Sequence, residues 1–319
     1  MCCLFGLLDY ENRLSCKQRQ RILRILSISC EERGTDAAGI AYFTNRQLYI
    51  QKAPRPAHEI RFRLNGQARY IMGHTRMTTQ GDGAHNYNNH PFRGKAGHTT
   101  FALAHNGVLY NDRELQQSRR LPKTPIETDS YVAVQLLERE RTLNFNSLRH
   151  MAEAVRGSFT FTVLDAENNL YIVKGNNPMC IYHFERMGFY LYASTQEILD
   201  ATVKQLGLTQ APYRLIRIAS GDILRIGADG NLQWGKFNDD ALWFRRCYDW
   251  DWGGYSFLDV KPSPEPEYQE LLEEYAQITG VDRDTIQRLV DAGYDWMSIE
   301  ELLYCPELLA ECLDEIYCG

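Results

Sequence analysis

The chain has 319 residues, of which 44% are hydrophobic and 24% charged, as in an ordinary globular protein with room for one large domain and a small one. No run approaches the roughly 18 consecutive apolar residues that a membrane span needs, and the first residues lack the features of a secretory signal. We therefore expect a cytoplasmic protein with no membrane contact. The nine cysteines show no C-x-x-C spacing, which predicts reduced thiols and neither a disulfide framework nor a thiolate zinc site.

Charge is unevenly distributed along the chain. From Asp240 onward there are 19 acidic and 5 basic residues, whereas the preceding part has 22 acidic and 30 basic residues. The basic residues of that part are dispersed and no nucleic-acid-binding signature accompanies them, so no nucleic-acid partner is predicted. We interpret the acidic tail as complementary to its own body or to a partner.

The first half of the chain predicts a buried strand followed by a helix. "CCLFGLLDY" is typical of the strand, and residues 17–34 predict the helix, which ends at Gly34. The apolar positions of the helix fall near one face: Ile22, Ile25, Leu26 and Ile28. Further strands are expected at 39–44, 47–51, 68–75 and 99–107, and two helices between 128 and 155.

The second half predicts antiparallel strands. Aromatic and β-branched runs separated by turn residues occupy 157–165, 169–175, 180–184 and 188–195. Residues 221–237 predict a hairpin around the Asp-Gly turn at Asp229 and Gly230. Strands and helices in separate runs predict an α+β fold in which helices pack on antiparallel sheets.

Composition changes near residue 240, which predicts three segments: a main domain at 2–239, an aromatic and proline-rich connector at 240–264, and a small acidic helical module at 265–319. The negative charge of the module argues against a helix-turn-helix DNA reader. We predict that the module docks on the body or on a partner and supplies no catalytic group, because so small a unit buries little area alone. The docking residues would include Trp243, Trp250 and Trp252, and the apolar positions to be covered are Leu271, Leu272, Leu289, Val290, Leu302, Leu303, Leu308 and Leu309.

Three short stretches contain candidate chemistry, and each also has a purely structural explanation. Asn106-Gly107 is a common turn pair, but an Asn amide and the next glycine N–H can also donate to one developing oxyanion. Arg76 is either a surface arginine or a clamp for a carboxylate. Asp129 is either an ordinary residue at a helix start or a counter-charge for a substrate ammonium.

Taken together, the motifs resemble those of the class II glutamine amidotransferases, which are N-terminal-nucleophile hydrolases. They are Cys2, "RGTDAAGIA", "GHTRMTTQG", "NNHPF", "AHNGVLYN", "ETDSY" and "GSFTFTVLD". The resemblance covers about residues 2–235. It implies a four-layer sandwich, with two antiparallel sheets between two helical layers.

The resemblance also implies catalytic roles. Met1 is removed and Cys2 becomes both nucleophile and base, because its α-amine has an ordinary pKa of about 7.7–8.0. Asn106 and the Gly107 N–H hold the oxyanion, and Arg33 orders the site near the nucleophile. The thiol attacks the γ-carboxamide of glutamine, and glutamate and ammonia form through a γ-glutamyl thioester.

The implied substrate-binding residues are Arg76 for the α-carboxylate and Asp129 for the α-ammonium, together with Thr79 and His90. No cofactor is expected. The histidines His74, His85, His90, His98 and His105 cluster in sequence, but their spacing matches no familiar zinc site, so no metal is expected either. We interpret His74, His90 and His105 as structural positions similar to those of the family.

The sequence departs from the family at three positions near the site. Cys3 stands where glycine is usual, Met77 where many members have an aromatic residue, and Gln80 where some have histidine. These departures affect substrate identity more than reaction type.

Three functions remain open at this point. One is a glutaminase that delivers ammonia to an acceptor on a separate synthase subunit, since no ammonia-using domain is recognised in the chain. Another is a stand-alone hydrolase of a different γ-glutamyl amide. The third is a non-enzymatic interaction protein on the same fold, which the presence of Cys2, Arg76, Asn106, Gly107 and Asp129 together disfavours. Self-association is left open.

Overall fold

A computed structural model of the chain describes residues 2–240, Leu242, residues 281–291, and five single residues: Ile299, Leu302, Leu309, Ala310 and Leu313. The chain divides into two compact units, Met1–Trp243 and Phe244–Gly319.

The first unit contains two antiparallel sheets. The first sheet has seven strands: β1 (Cys3–Asp9), β2 (Ala37–Thr44), β3 (Gln47–Ala53), β4 (Tyr70–Arg76), β9 (Cys180–Phe184), β10 (Phe189–Ala193) and β11 (Arg214–Leu215). The second sheet has six: β5 (Phe92–Ala96), β6 (Thr99–Leu109), β7 (Gly157–Asp165), β8 (Leu170–Lys174), β12 (Asp222–Ile226) and β13 (Leu232–Lys236). Their orders are β11-β9-β10-β1-β4-β2-β3 and β13-β12-β8-β7-β6-β5. β1 therefore lies inside its sheet, between β10 and β4.

Five helices belong to the same unit: α1 (Cys16–Ser29), α2 (Asp112–Ser118), α3 (Tyr131–Glu140), α4 (Phe145–Ala154) and α5 (Gln196–Leu206). Short 3₁₀ turns occur at Cys30–Arg33, Ala57–Glu59, Asn86–Asn88 and Glu185–Met187. α1 begins with a capping box, in which Ser15 and Gln18 satisfy each other's backbone N–H groups.

Three apolar layers hold these elements together. One lies between the first sheet and helices α1 and α5, and another lies between the second sheet and helices α2 to α4. The third fills the space between the two sheets. The predicted four-layer sandwich of two antiparallel sheets between helical layers is therefore confirmed.

The alternation of side chains along β1 explains why all of its residues are buried. Cys3, Phe5 and Leu7 face the helical layer, whereas Leu4 and Leu8 face the space between the sheets. A strand covered on both faces has no polar side, which is why "CCLFGLLDY" shows no alternation of apolar and polar residues in the sequence.

The buried face of α1 differs from the predicted one. Ile22 and Leu26 are buried as expected, but Ile25 and Ile28 are only partly buried, and Leu23 takes a central position. Arg19 also lies on the buried face, because its guanidinium pairs with the buried carboxylate of Asp9 at 3.2 Å. The α-helix ends at Ser29, and Gly34 instead follows the 3₁₀ turn at Cys30–Arg33.

In the second unit the structure describes α6 (Arg283–Asp291), on which Ile286 and Leu289 are buried. The three connector tryptophans, Leu271, Leu272, Leu303 and Leu308 lie outside the described residues, so the predicted docking of the acidic module stays a prediction. The same holds for the predicted domain boundaries. Among the described residues, no helix combines the length and apolarity needed to cross a bilayer, and the predicted cytoplasmic location is not tested by this.

Candidate functional site

The Cys2 thiol lies at the end of the space between the sheets. Its Sγ contacts the backbone of Met77, 3.4 Å from the nitrogen and 3.4 Å from the oxygen. The strand alternation that directs Leu4 between the sheets directs Cys2 the same way, and it directs Cys3 toward the helical layer. Of the two neighbouring thiols, Cys2 is therefore the one that faces the second sheet.

Arg33 and Gly34 close the backbone around this thiol. Arg33 Nε donates a hydrogen bond to the Cys2 carbonyl oxygen at 3.1 Å. A Cβ atom on Gly34 would lie 2.5 Å from the Arg76 carbonyl carbon, so only glycine permits the close approach of the two segments. Arg33 thus holds the peptide of the predicted nucleophile.

Arg76 is the last residue of β4 and its side chain is almost fully buried. Nη1 donates to Asn89 Oδ1 at 2.6 Å, and Nη2 donates to the Gln80 carbonyl oxygen at 2.6 Å. Lys52 Nζ in turn donates to the Asn89 carbonyl oxygen at 2.5 Å. These partners are neutral oxygens, so the guanidinium is oriented without its charge being neutralised by them.

Asp129 precedes α3 and is 3% exposed. One carboxylate oxygen accepts the Leu109 N–H at 2.6 Å and the other accepts the Ser130 hydroxyl at 3.2 Å. The Ser130 hydroxyl also contacts Nδ1 of His105 at 2.8 Å. The donors that hold this carboxylate in place are neutral.

Asn106 and Gly107 lie on β6 of the second sheet. Ala102 and Ala104 on the same strand face the space between the sheets, and the alternation places Asn106 there too. The amide nitrogen Nδ2 lies 3.4 Å from Ser194 Oγ, which also accepts the Leu4 N–H at 2.9 Å. The Ser194 hydroxyl therefore lies between the side-chain amide of Asn106, the predicted oxyanion donor, and β1, the strand that follows Cys2.

Gly107 adopts a backbone conformation that favours glycine. Its φ is +140°, and a Cβ atom would lie 1.9 Å from the Ser158 carbonyl oxygen. Any side chain here would displace β7 from β6. The glycine of the Asn106-Gly107 pair is therefore required by the fold at this point, whatever its chemical role.

Burial raises the pKa of the Cys2 thiol, while the Met77 backbone hydrogen bond and the positive charge of Arg76 act to lower it, and Asp129 acts to raise it. Both charges therefore lie close enough to the thiol to affect its ionisation. With burial dominant, the protonated thiol is favoured over the thiolate.

The two other predicted substrate-binding residues lie in contrasting environments. Thr79 is exposed, on the loop after β4. His90 is buried, its ring packs against those of His74 and Phe92, and both of its ring nitrogens lack a hydrogen-bond partner. The predicted roles of Thr79 and His90 in substrate binding stay predictions.

The buried histidines connect the two sheets. His74 Nε2 donates to the His105 carbonyl oxygen at 2.9 Å, and burial lowers the pKa of His74 to about 3. Burial also lowers the pKa values of His90 and His105. In the part of the chain that the structure describes, no three His, Cys, Asp or Glu side chains are grouped closely enough to hold a metal ion.

Several residues that hold the predicted site in place are not among those predicted from the sequence. Asn89 and Lys52 fix Arg76, and Ser130 fixes Asp129. Asn89 lies within the quoted motif "NNHPF", which offered a partial signal. Lys52 offered no signal, since a lysine near the end of a partly buried strand is ordinary.

Comparison with known proteins is consistent with this geometry. Residues 74–201 match the model of the glutamine amidotransferase domain family. The chain is 26% identical over 307 residues to glutamine–fructose-6-phosphate aminotransferase (isomerizing) from Staphylococcus aureus, covering 92% of this chain and 48% of the relative. It is 25% identical over 228 residues to 7-cyano-7-deazaguanine synthase from Sulfolobus acidocaldarius, covering 68% of this chain and 48% of the relative. The chain thus spans about half the length of these relatives.

A solved structure shares the fold. Glutamine phosphoribosylpyrophosphate amidotransferase from B. subtilis, complexed with ADP and GMP, superposes with a TM-score of 0.61 at 20% identity, covering 74% of this chain and 49% of that one. Motif order, sheet topology and the family match agree. The resemblance to glutamine amidotransferases expected from the motifs is therefore confirmed, as a match of residues 74–201 to a glutamine amidotransferase domain and as similarity to relatives of that kind.

Proposed function

We propose that the protein hydrolyses the γ-carboxamide of glutamine, with Cys2 as nucleophile after removal of Met1. The observation that supports this most directly is the pair of opposite charges beside one thiol. Arg76 and Asp129 both act on the Cys2 thiol electrostatically, and neutral partners orient each of them. A free α-amino acid carries a carboxylate and an ammonium, which these two groups complement.

The buried thiol explains the need for a base within reach. Because burial keeps the thiol protonated, attack on an amide requires a group that takes its proton. Once Met1 is removed, the α-amine of Cys2 belongs to the same residue as the thiol. Its ordinary pKa of about 7.7–8.0 lies close to neutral pH, so it can take the proton and give it back.

The proposed reaction has two halves. The amine takes the thiol proton, sulfur bonds to the amide carbon, and Asn106 Nδ2 and the Gly107 N–H hold the negative oxygen. The tetrahedral intermediate loses ammonia, protonated by the ammonium group, and leaves a γ-glutamyl thioester. Water then attacks the thioester, the carbon–sulfur bond breaks, and glutamate and the Cys2 thiol are released.

We propose further that the ammonia is used by an acceptor on a separate protein. The S. aureus relative is named as a glutamine–fructose-6-phosphate aminotransferase, which supports transfer of the glutamine nitrogen to an acceptor. We take a synthase subunit that uses ammonia as the candidate acceptor. Hydrolysis of another γ-glutamyl amide is the second candidate, since exposed Met77 lies against the thiol where many family members have an aromatic residue.

A matched pair of proteins tests the proposal. One is an N-terminal fusion left intact, and the other is the same fusion cleaved so that Cys2 is the first residue. The cleaved form should release glutamate from glutamine and gain the mass of one glutamine-analogue electrophile on Cys2, and the intact fusion should do neither. Asparagine, which is a β-aspartyl amide, and γ-glutamyl amides other than glutamine serve as competing substrates. Equal glutamine turnover by both forms would contradict the N-terminal mechanism.

A further inference from the structure

We propose that Ser194 and Asn177 are the positioning residues of the oxyanion hole: Ser194 orients the side-chain amide of Asn106, and Asn177 orients the Asn106–Gly107 peptide. The inference rests on the proposed function, because it assigns supporting roles around the same reaction. Both residues lie between β8 and α5, in a segment where the sequence predicts no functional residue.

Ser194 directly follows β10, which is hydrogen-bonded to β1. Its side chain is fully buried, and its Oγ lies 2.9 Å from the Leu4 nitrogen and 3.4 Å from Asn106 Nδ2. The same oxygen thus contacts the strand that follows the nucleophile and the amide expected to stabilise the oxyanion. Ser194 therefore fixes the separation of these two groups across the two sheets.

The Ser194 contact also determines which way the Asn106 amide points. A carboxamide has two N–H donors on one atom and an acceptor oxygen on the other. With one N–H directed to Ser194 Oγ, the second N–H is free to donate to the oxyanion. If the amide turned by 180°, Oδ1 would face the negative oxygen and repel it. In the structure the Ser194 hydroxyl oxygen faces Nδ2 rather than Oδ1 of Asn106, which is the productive orientation.

Asn177 lies on the loop between β8 and β9 and contacts the other half of the oxyanion hole. Its Nδ2 donates to the Asn106 carbonyl oxygen at 3.1 Å. Its own carbonyl oxygen accepts the Thr160 hydroxyl at 2.6 Å, which anchors the loop to β7. A Cβ atom on Gly107 would lie 2.6 Å from Asn177 Nδ2, so the Asn177 amide lies directly against this peptide.

The geometry of a peptide bond connects this contact to catalysis. In a trans peptide the C=O of Asn106 and the N–H of Gly107 point in opposite directions, so a bond that fixes the carbonyl also fixes the N–H. A hydrogen bond to the carbonyl further polarises the amide and strengthens its N–H as a donor. Asn177 therefore both directs and strengthens the Gly107 donor.

The chain offers a matched control for each residue. Asn176 precedes Asn177 on the same loop and accepts the Phe159 N–H at 3.0 Å, a contact with β7 rather than with the Asn106–Gly107 peptide. Ser27 is a fully buried serine on α1 that donates to the Arg24 carbonyl oxygen at 3.1 Å. Asn176→Ala and Ser27→Ala remove side chains of the same kind away from the oxyanion hole.

The first measurement is steady-state glutamine hydrolysis. Loss of a whole oxyanion donor lowers kcat by about 100- to 1000-fold, so misplacing a donor should cost less, roughly 10- to 100-fold. We expect Ser194→Ala and Asn177→Ala to lower kcat by roughly that amount and to change KM less than about twofold, because the oxyanion exists only in the transition state. Asn177→Asp, which replaces the donor by an acceptor, should be at least as impaired. The two control variants should keep wild-type kcat.

A double-variant comparison separates positioning from a general structural effect. In an Asn106→Ala background, Ser194→Ala should have little further effect, because its target is gone, whereas Asn177→Ala should still lower kcat through Gly107. Alkylation of Cys2 by iodoacetamide forms no oxyanion and should proceed at the wild-type rate in the single variants. A full additional loss from Ser194→Ala in the Asn106→Ala background would overturn the role of Ser194.

Near-isosteric variants cover the case in which Ser194→Ala fails to fold. Ser194→Thr keeps the hydroxyl and should regain most of the lost kcat, while Ser194→Cys fills the space with a weak acceptor and should not. A folded Ser194→Cys protein with unimpaired kcat would overturn the proposal for Ser194. An Asn177→Ala protein with the same kcat as Asn176→Ala would overturn the proposal for Asn177. A wild-type protein that hydrolyses no γ-glutamyl amide would instead overturn the proposed function, and this inference with it.

Discussion

Cys2 and Cys3 are adjacent in the chain, yet their thiols occupy opposite faces of the first sheet. The Cys2 thiol contacts the Met77 backbone on the side of the second sheet, whereas the Cys3 thiol is fully buried toward the helical layer and interacts with Cys30. The departure from glycine at position 3 therefore fills the core behind the sheet rather than adding a second thiol to the site.

The two cysteines should respond differently to substitution. Cys2→Ala should abolish glutamine hydrolysis and leave the fold intact, because it removes the proposed nucleophile. Cys3→Ala should retain hydrolysis and lose about 1 kcal/mol of stability, since it removes one buried sulfur atom from a packed layer. Glutamate release and urea unfolding measure the two effects. Hydrolysis lost in a folded Cys3→Ala protein and retained in Cys2→Ala would reverse the assignment.

The charges of Arg76 and Asp129 should determine recognition of the amino-acid end of the substrate. Arg76→Gln and Asp129→Asn should each cost about 2–5 kcal/mol in kcat/KM for glutamine, because each leaves a substrate charge without its partner in a largely desolvated site. N-acetylglutamine lacks the ammonium, and the α-amide of glutamine lacks the carboxylate. Asp129→Asn should discriminate less against the former, and Arg76→Gln less against the latter. Unchanged discrimination in folded variants would contradict these assignments.

Gln80 should affect binding more than chemistry. Its Nε2 donates to Asp112 Oδ2 at 3.1 Å and to the Glu127 carbonyl oxygen at 3.2 Å, and its own carbonyl accepts from Arg76. Gln80→Ala should loosen the loop that orients the guanidinium and raise KM for glutamine several-fold while kcat changes little. Gln117→Ala, an exposed glutamine on α2, serves as control. A larger fall in kcat than rise in KM would place Gln80 in the chemical step instead.

The buried histidines should make the protein acid-sensitive. Burial lowers the pKa of His74 to about 3 in the fold, against about 6.5 in an unfolded chain. Between these values the unfolded chain binds more protons, so stability is complete above about pH 6.5 and is lost as pH falls, at about 1.4 kcal/mol per pH unit from His74.

Urea unfolding at about pH 7 and about pH 5 measures this loss, which His74 alone should make about 2 kcal/mol. His74→Gln should show a shallower dependence, and exposed His98→Gln should match the wild type. An unfolding free energy that stays constant over this range would show that His74 is not held neutral by the fold.

Much of the fold was predictable because its strands are long apolar or aromatic runs. β1, β7 and β9 lie where their sequences predict them, and the hairpin around Asp229–Gly230 forms as expected, with Gly230 at a φ of +79°. α5 was not predicted, although Thr195 caps it and Ile198, Leu199 and Val203 form its buried face. The aromatic strand just before it dominates the local pattern.

The details of the site were less predictable for a different physical reason. Arg76, Asn106 and Asp129 stand in recognisable motifs, but the residues that orient them are common polar types. Ser194 contacts Asn106, although the two residues are 88 positions apart in the chain, and Lys52 contacts Asn89, which is 37 positions away. Such contacts depend on how the two sheets and their loops come together, and no local periodicity encodes them.

The interior position of β1 has a consequence for synthesis of the chain. β1 pairs with β4 on one side and with β10 on the other, so its second neighbour is complete only after Ala193 has been made. Until then the segment that begins with Cys2 lacks one of its two neighbouring strands and remains accessible to processing enzymes on the ribosome. Removal of a preceding methionine, which the proposed mechanism requires, therefore has time to occur before the nucleophile becomes enclosed.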